Sequence, residues 1–286
     1  VATTDGQAGG ARGWWTSVAP RPTPVDLAID QPHPARMYDY LLGGKDNFPA
    51  DRETAERALG AFPRARAAAR QNRAFLLRAT RHLAEHQGVR QFLDIGTGIP
   101  TSPNMHEVAQ GVATDARVVY ADNDPIVLAH ARALLTSTPQ GRTAYLDADL
   151  HDVESIVTAP VLRDTLDLTR PVALSLIAIF HFFPDEDDPY SIVRRLLDAL
   201  PSGSYLSLTH LTADFVPAEI NGVAQTYQAQ GIPLTPRTRD EIARFFDGLE
   251  LVDPGLVVPF RWRPDGTGED ITDADASGWG AVARKP

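Results

Sequence analysis

The sequence predicts an α/β fold, a mostly parallel sheet with helices packed around it. Apolar runs of strand length alternate with longer stretches of helical periodicity, the pattern of strands joined by helical crossovers. Residues 171–180 (PVALSLIAIF) are almost continuously apolar, as a central parallel strand buried on both faces requires. Residues 91–100 (QFLDIGTGIP) read as a buried strand ending in a glycine turn. Gly96 and Gly98 let the chain turn tightly and let a ligand approach where a Cβ would block it. Ser102 and Pro103 supply a helix N-cap and first residue. The order strand, glycine turn, helix opens a nucleotide-binding α/β fold.

Taken in order, residues 1–30 are rich in Gly, Ala, Pro and Thr without periodicity and read as a mobile tail. Trp14 and Trp15 either dock on the body or ride on that tail. Residues 33–51 (HPARMYDYLLGGKDNFPAD) gather Arg36, Tyr38, Tyr40, Lys45, Asp46 and Asn47 around a Gly43-Gly44 turn that follows a short helix over 34–42. They read as ligand contacts or as the polar surface of a capped helix–turn–helix. A P-loop is excluded, because Asp39 stands where its first Gly belongs and Asp46 where Ser or Thr must follow the Lys. Helices over 49–59 and 63–86 follow, the second opened by Pro63 and stopped by Gly88. Ala65, Ala68, Asn72, Phe75, Leu76, Ala79 and Leu83 form one buried stripe, with Arg64, Arg66, Arg70 and Arg81 on the solvated face. Asn72 and Arg73 sit at the apolar edge, where a ligand is within reach. Residues 31–88 are thus an N-terminal helical cap and 89–286 the sheet domain.

Beyond the glycine turn come a helix over 103–110 and a strand over 117–121 that ends at Asp122-Asn123-Asp124-Pro125. A carboxylate at this strand end can accept both ribose hydroxyl protons, which makes Asp122 the ribose ligand. Asp124 and Pro125 cap and open the helix over 125–135. The strand over 143–146 leads into Asp147-Ala148-Asp149-Leu150, where Asp149 or Asp152 can cap the next helix. His181 follows the central strand and reads as a general base or as a hydrogen-bonded pocket histidine. A helix over 189–200, a strand over 204–209, a helix over 218–230 and a capped helix from Thr238 to Phe246 come next. Residues 249–252 and 257–261 read as a sixth strand broken at Asp253-Pro254-Gly255. Residues 262–276 read as a polar loop and 279–283 as the last strand. The loop is too short for a crossover, so the closing pair is antiparallel.

The formal net charge of -10 argues against a nucleic-acid partner, which rewards a basic face. No apolar run reaches membrane-spanning length, and no basic-then-apolar leader opens the sequence. With no cysteine there is neither a thiolate metal site nor a thiol nucleophile, and no metal site is expected. A cytoplasmic location fits this usage; the oligomeric state is not legible.

The glycine turn is D-x-G-x-G, with Thr101 where a dinucleotide fingerprint places its third Gly. This form resembles the first motif of class I S-adenosylmethionine (SAM) methyltransferases. SAM offers an ammonium and a sulfonium to nearby carboxylates and has no pyrophosphate to seat. More closely, HPARMYDYLLGGKDNF, NRAFLLRA, FLDIGTGIPTSPN and VYADNDPIVLAHARALL resemble the actinobacterial S-adenosyl methyltransferase family once catalogued as a domain of unknown function, over about residues 31–286. The resemblance implies a Rossmann-like seven-stranded sheet with the last strand antiparallel, and SAM as cofactor. It places Asp94, Gly96, Thr97 and Gly98 at the amino-acid end of SAM, Asp122 and Asn123 at the ribose, and Asp149 and Leu150 at the adenine. It puts Tyr38, Lys45 and Asn47 in a lid over the cofactor. His181 and Tyr38 are the candidate bases if the acceptor must lose a proton. Residues 181–184 (HFFP) replace the Asn-Pro-Pro-aromatic motif of amino-directed nucleic-acid methylases. With the acidic charge, this points to a small-molecule or protein acceptor, the former preferred. The alternatives are a SAM-binding sensor without turnover and, lower, a nicotinamide-dependent oxidoreductase.

Overall fold

The structure, a computed structural model, describes residues 27–134, 136–266 and 270–286. The expectations for Trp14, Trp15 and most of the tail lie outside these residues. One seven-stranded sheet organises the chain, in the order β3-β2-β1-β4-β5-β7-β6. The strands are β1 (Gln91–Ile95), β2 (Arg117–Asp122), β3 (Arg142–Asp147), β4 (Ala173–Ile177), β5 (Tyr205–Leu211), β6 (Glu250–Leu251) and β7 (Gly278–Arg284). β1 pairs parallel with β2 and β4, β2 with β3, and β4 with β5. β7 runs antiparallel to both β5 and β6, as the short closing connection requires.

Three helices precede the sheet: α1 (Pro34–Leu42), α2 (Pro49–Ala61) and α3 (Ala65–His86). Between the strands lie α4 (Met105–Val112), α5 (Pro125–Leu134), α6 (Val153–Thr158), α7 (Pro160–Thr165), α8 (Pro189–Asp198), α9 (Pro217–Gln228), α10 (Arg239–Ala243) and α11 (Asp273–Ala276). One sheet face packs Leu93, Ile95, Leu174, Leu176 and Leu208 against α6, α7 and α8. The other packs Phe92, Val118 and Val282 against α3 through Phe75, Leu76, Ala79 and Leu83, the stripe its periodicity marks. A third cluster joins Met37, Ala55, Ala58 and Phe62 to Ile220, Val223, Ala224 and Tyr227 of α9, so the N-terminal helices close over a distant part of the chain.

Four local expectations are corrected. α4 starts at Met105 rather than Pro103. Its cap is Asn104, whose backbone N–H and side chain are both held by Glu107 in a capping box. The central strand ends at Ile177: Ala178 takes φ 55°, and Phe180–Phe182 form a single 3-10 turn. Residues 257–261 are not a strand. Val257 makes one bridge to Gly280, and Pro259, which has no N–H to donate, opens a 3-10 turn over Pro259–Arg261. Residues 262–276 are not simply a polar loop, because Trp262 is fully buried. It packs edge-on against Phe75 and His82, and its carbonyl accepts from the buried Arg78.

Candidate active site

The sheet order reverses between β1 and β4, and the loops after these strands diverge there to open a crevice. The crevice is a cavity of about 480 Å³, within the range of small-molecule sites. At its floor the β1 turn carries Gly96 at φ 71° and Gly98 at φ 66°. Their glycine requirements differ. A Cβ on Gly96 would lie 2.8 Å from Ile179 Cδ1, so this Gly is needed for the approach of the β4 loop. A Cβ on Gly98 would meet nothing within 4 Å, so the space beside it is open. Ala178, strained at positive φ, is pinned by a hydrogen bond from its N–H to Thr209 Oγ1 at 3.0 Å.

Two buried carboxylates face this floor. Asp94 accepts from the Thr97 hydroxyl, and burial pushes its carboxyl up to about 6. Asp122 accepts from Gly98 N–H at 2.9 Å through Oδ2 and from Asp124 N–H at 2.9 Å through Oδ1, yet burial still raises its carboxyl. Among the described residues neither makes an ion pair with a basic side chain. Asn123, Asp149 and Leu150 line the same cavity. Asp149 is exposed and accepts from the backbone N–H of His151 and contacts its ring. Those bonds hold its carboxyl below the usual range although burial opposes them. The ring of His151 in turn reaches Asp187 and stacks on Phe183.

Asp124 has the structural role its position predicts and a second one. Oδ1 accepts from Ile126 N–H to cap α5, while Oδ2 lies 3.0 Å from His33 Nδ1 and 3.3 Å from Arg36 Nε. His33 Nδ1 is also 3.3 Å from Ala35 N–H. One nitrogen cannot donate to the carboxylate and accept from the amide at once; the shorter, charge-assisted contact defines it. Arg36 also reaches the buried Asp51, so an ion cluster ties α1 and α2 to the loop carrying Asp122. The sequence showed no sign of this link.

The N-terminal motif divides. Tyr38 lines the cavity; its hydroxyl donates to the Ala69 carbonyl at 3.0 Å and accepts from Asn72 Nδ2, and burial raises its pKa. Its proton is committed, which suits an orienting group better than a base. Asn72 and Arg73 line the cavity too, with Arg73 bound to the carbonyls of Thr101 and Pro103. Lys45 and Asn47 are not brought to the cavity. Lys45 is exposed, and Asn47 is buried against Asp39 and the Gly44 carbonyl, bracing the glycine turn. His181 does line it, buried, with Nδ1 lacking any hydrogen-bond partner. Burial, followed by the neighbouring His210 and Arg237, holds its pKa well below the ordinary value.

A family model described as S-adenosyl methyltransferase matches residues 20–286. The chain belongs to that family. It is an enzyme family whose cofactor is S-adenosylmethionine. A DUF574 family protein from Streptomyces avermitilis is 55% identical, with a TM-score of 0.90 over 91% of this chain and 100% of its own. A candidate methyltransferase from Thermobifida fusca is 41% identical, with a TM-score of 0.84 over 91% of this chain and 97% of its own. The plantazolicin methyltransferase BpumL, 12% identical, has a TM-score of 0.50 over 88% of this chain and 96% of its own and shares the fold alone. No functionally curated protein matches the chain. The site suits SAM on its own chemistry. Two buried carboxylates that, among the described residues, form no ion pair fit a cationic, hydroxyl-bearing ligand, and the open space at Gly98 admits one. The family assignment sets aside the oxidoreductase alternative. Among the described residues no helix is long and apolar enough to cross a membrane, and no acidic–histidine cluster is placed to hold a metal.

Proposed function

We propose that the protein methylates a small-molecule acceptor recessed beneath α1, α2 and α9. One observation carries this reading: the cavity does not stop at the carboxylates but continues into a lobe walled by Ala58, Phe62, Ile220, Val223 and Tyr227, the helices packed over the sheet. When bound, SAM supplies an electrophilic methyl group. Asp94, Gly96, Thr97 and Gly98 hold its amino-acid end, Asp122 and Asn123 its ribose, and Asp149 and Leu150 its adenine. Residues 31–88 serve as the cap, with the Arg36–Asp124 link keeping α1 against the ribose loop. The apolar lobe, filled by the acceptor, keeps water from the reacting groups, so catalysis comes chiefly from positioning and desolvation. His181 contacts the acceptor; Tyr38 and Asn72 fix the wall between the two ligands. A cytoplasmic location belongs to the same reading. The test is incubation with methyl-labelled SAM and a cell extract, fractionated afterwards. Label in the small-molecule fraction supports the reading, and label confined to protein or nucleic acid contradicts it.

A further inference from the structure

The lobe beyond the carboxylates differs in chemistry from the cofactor end. The ionisable carboxylates and guanidinium that line the cavity are Asp94, Asp122, Asp149 and Arg73. The three acids belong to the cofactor end, and so does Arg73, whose Nη2 donates to the Thr101 and Pro103 carbonyls. The lobe itself is walled by Phe62, Phe182, Ile220, Val223, Tyr227 and Leu234. Phe182 and Tyr227 stack with ring centres 6.1 Å apart, leaving a flat apolar flank. A charged acceptor moved from water into such a wall would lose its hydration with nothing to replace it.

Two histidines are among the polar groups that line this cavity, and their hydrogen bonding separates them. His210 is fully engaged: Nδ1 donates to the Leu211 carbonyl at 2.8 Å, and Nε2 accepts from Arg237 at 3.0 Å. Arg237 lies behind it, fixed by the carbonyls of Phe180 and Phe183 and by Asp185. This arrangement sets the tautomer of His210 and places a buried cation behind the pair. His181 is 5.7 Å from His210, ring centre to ring centre, and its Nδ1 is buried without a partner. Burial and the cation behind the pair keep both imidazoles neutral, with His210 lowered to about 3. Nδ1 is closed off from the cavity; Nε2 also makes no hydrogen bond but is not sealed in this way, so it is the nitrogen that a ligand in the lobe can complete. A hydroxyl can both donate and accept, so it satisfies either tautomer of the ring.

We infer that the acceptor is an uncharged, hydrophobic small molecule bearing a hydroxyl group that hydrogen-bonds to His181 in the lobe between α2 and α9. This rests on the methyltransferase reading above and narrows it to a substrate class. His181 binds the acceptor hydroxyl and orients it; the polar end of the acceptor faces the cofactor, and its apolar body lies between Phe62, Phe182 and Tyr227.

The test uses the full chain saturated with S-adenosylhomocysteine, titrated with 2-naphthol and with two analogues of equal size, 2-naphthoate and 2-naphthylmethylammonium. The inference expects 2-naphthol to bind at least tenfold more tightly than either charged analogue. In His181→Ala its affinity should fall about fivefold, while naphthalene binds both proteins alike. Should His181→Ala fail to fold, Val223→Phe, which fills the lobe, should lose 2-naphthol and keep S-adenosylhomocysteine. A charged analogue that binds as well as the naphthol overturns the inference. So does an unchanged naphthol affinity in His181→Ala or Val223→Phe, or no naphthol binding to the saturated protein. Failure of S-adenosylhomocysteine itself to bind would instead strike the cofactor assignment on which the inference stands.

Discussion

Asp94 makes cofactor binding depend on pH in a calculable way. Burial beneath the glycine turn raises its carboxyl from 3.8 to about 6, and the Thr97 hydroxyl and the Arg73 charge offset only part of that. A cofactor ammonium beside this group favours the ionised form, so affinity follows the ionised fraction of the unliganded protein. With a pKa of about 6, Asp94 is mostly ionised at pH 7 and about one-tenth ionised at pH 5. Affinity for S-adenosylhomocysteine should therefore fall about tenfold between pH 7 and pH 5. Calorimetry should show proton release on binding near pH 6, seen as an enthalpy that varies with the ionisation enthalpy of the buffer. The stability of the unliganded protein carries the opposite sign. Because the folded-state pKa is the higher one, the contribution of Asp94 is fully present below about pH 4 and is lost as pH rises through 6. The gap corresponds to about 3 kcal/mol at most. Asp94→Asn, nearly isosteric and uncharged, should then raise the melting temperature of the unliganded protein at pH 7 while abolishing cofactor binding. An affinity that stays flat from pH 5 to pH 7, or an Asp94→Asn protein that binds like wild type, refutes this reasoning.

Other perturbations separate the parts of the account. Gly96→Ala places its methyl 2.8 Å from Ile179 Cδ1 at φ 71° and should cost about 1–3 kcal/mol by chemical denaturation, whereas Gly98→Ala, with open space, should cost about half as much and act mainly on cofactor affinity. Arg36→Met leaves Asp51 and Asp124 buried without their guanidinium and should cost about 3–5 kcal/mol at pH 7. Trp262→Ala empties a fully buried site between α3 and the sheet and should cost about 3–5 kcal/mol, read from the same denaturation curves.

The sheet and the glycine-turn floor of the cavity were legible because their signals are local. An apolar run, two glycines and an acid at a strand end lie within a few residues of each other, and the backbone alone brings Gly96, Gly98 and Asp122 together. Asp124 was half-read: its cap to α5 is local, but its link to His33 and Arg36 spans some ninety residues and leaves no pattern. The lobe was not legible for the same reason. The wall shared by Phe62 and Val223 exists only after α2 meets α9, and periodicity shows that each helix has a buried face without showing what it meets. Residues 257–261 misled because their apolar character suits a strand while Pro259 withholds the N–H a ladder needs. Trp262 misled in the opposite sense, since its polar neighbours hide a side chain inserted in the core. Lys45 and Asn47 lie in a motif dense in ligand-like residues, yet the Gly43-Gly44 turn uses Asn47 for its own bracing and turns Lys45 outward.

The central claim is that this chain holds SAM through the carboxylate at the end of β2. Calorimetric titration of the purified protein with SAM and with S-adenosylhomocysteine, repeated on Asp122→Ala with its thermal melt as a folding control, tests it most directly. The account predicts micromolar binding of both ligands to the wild type and its loss in a variant that still melts cooperatively. Well-folded wild-type protein that binds neither ligand, or an Asp122→Ala variant that binds both unchanged, would contradict it.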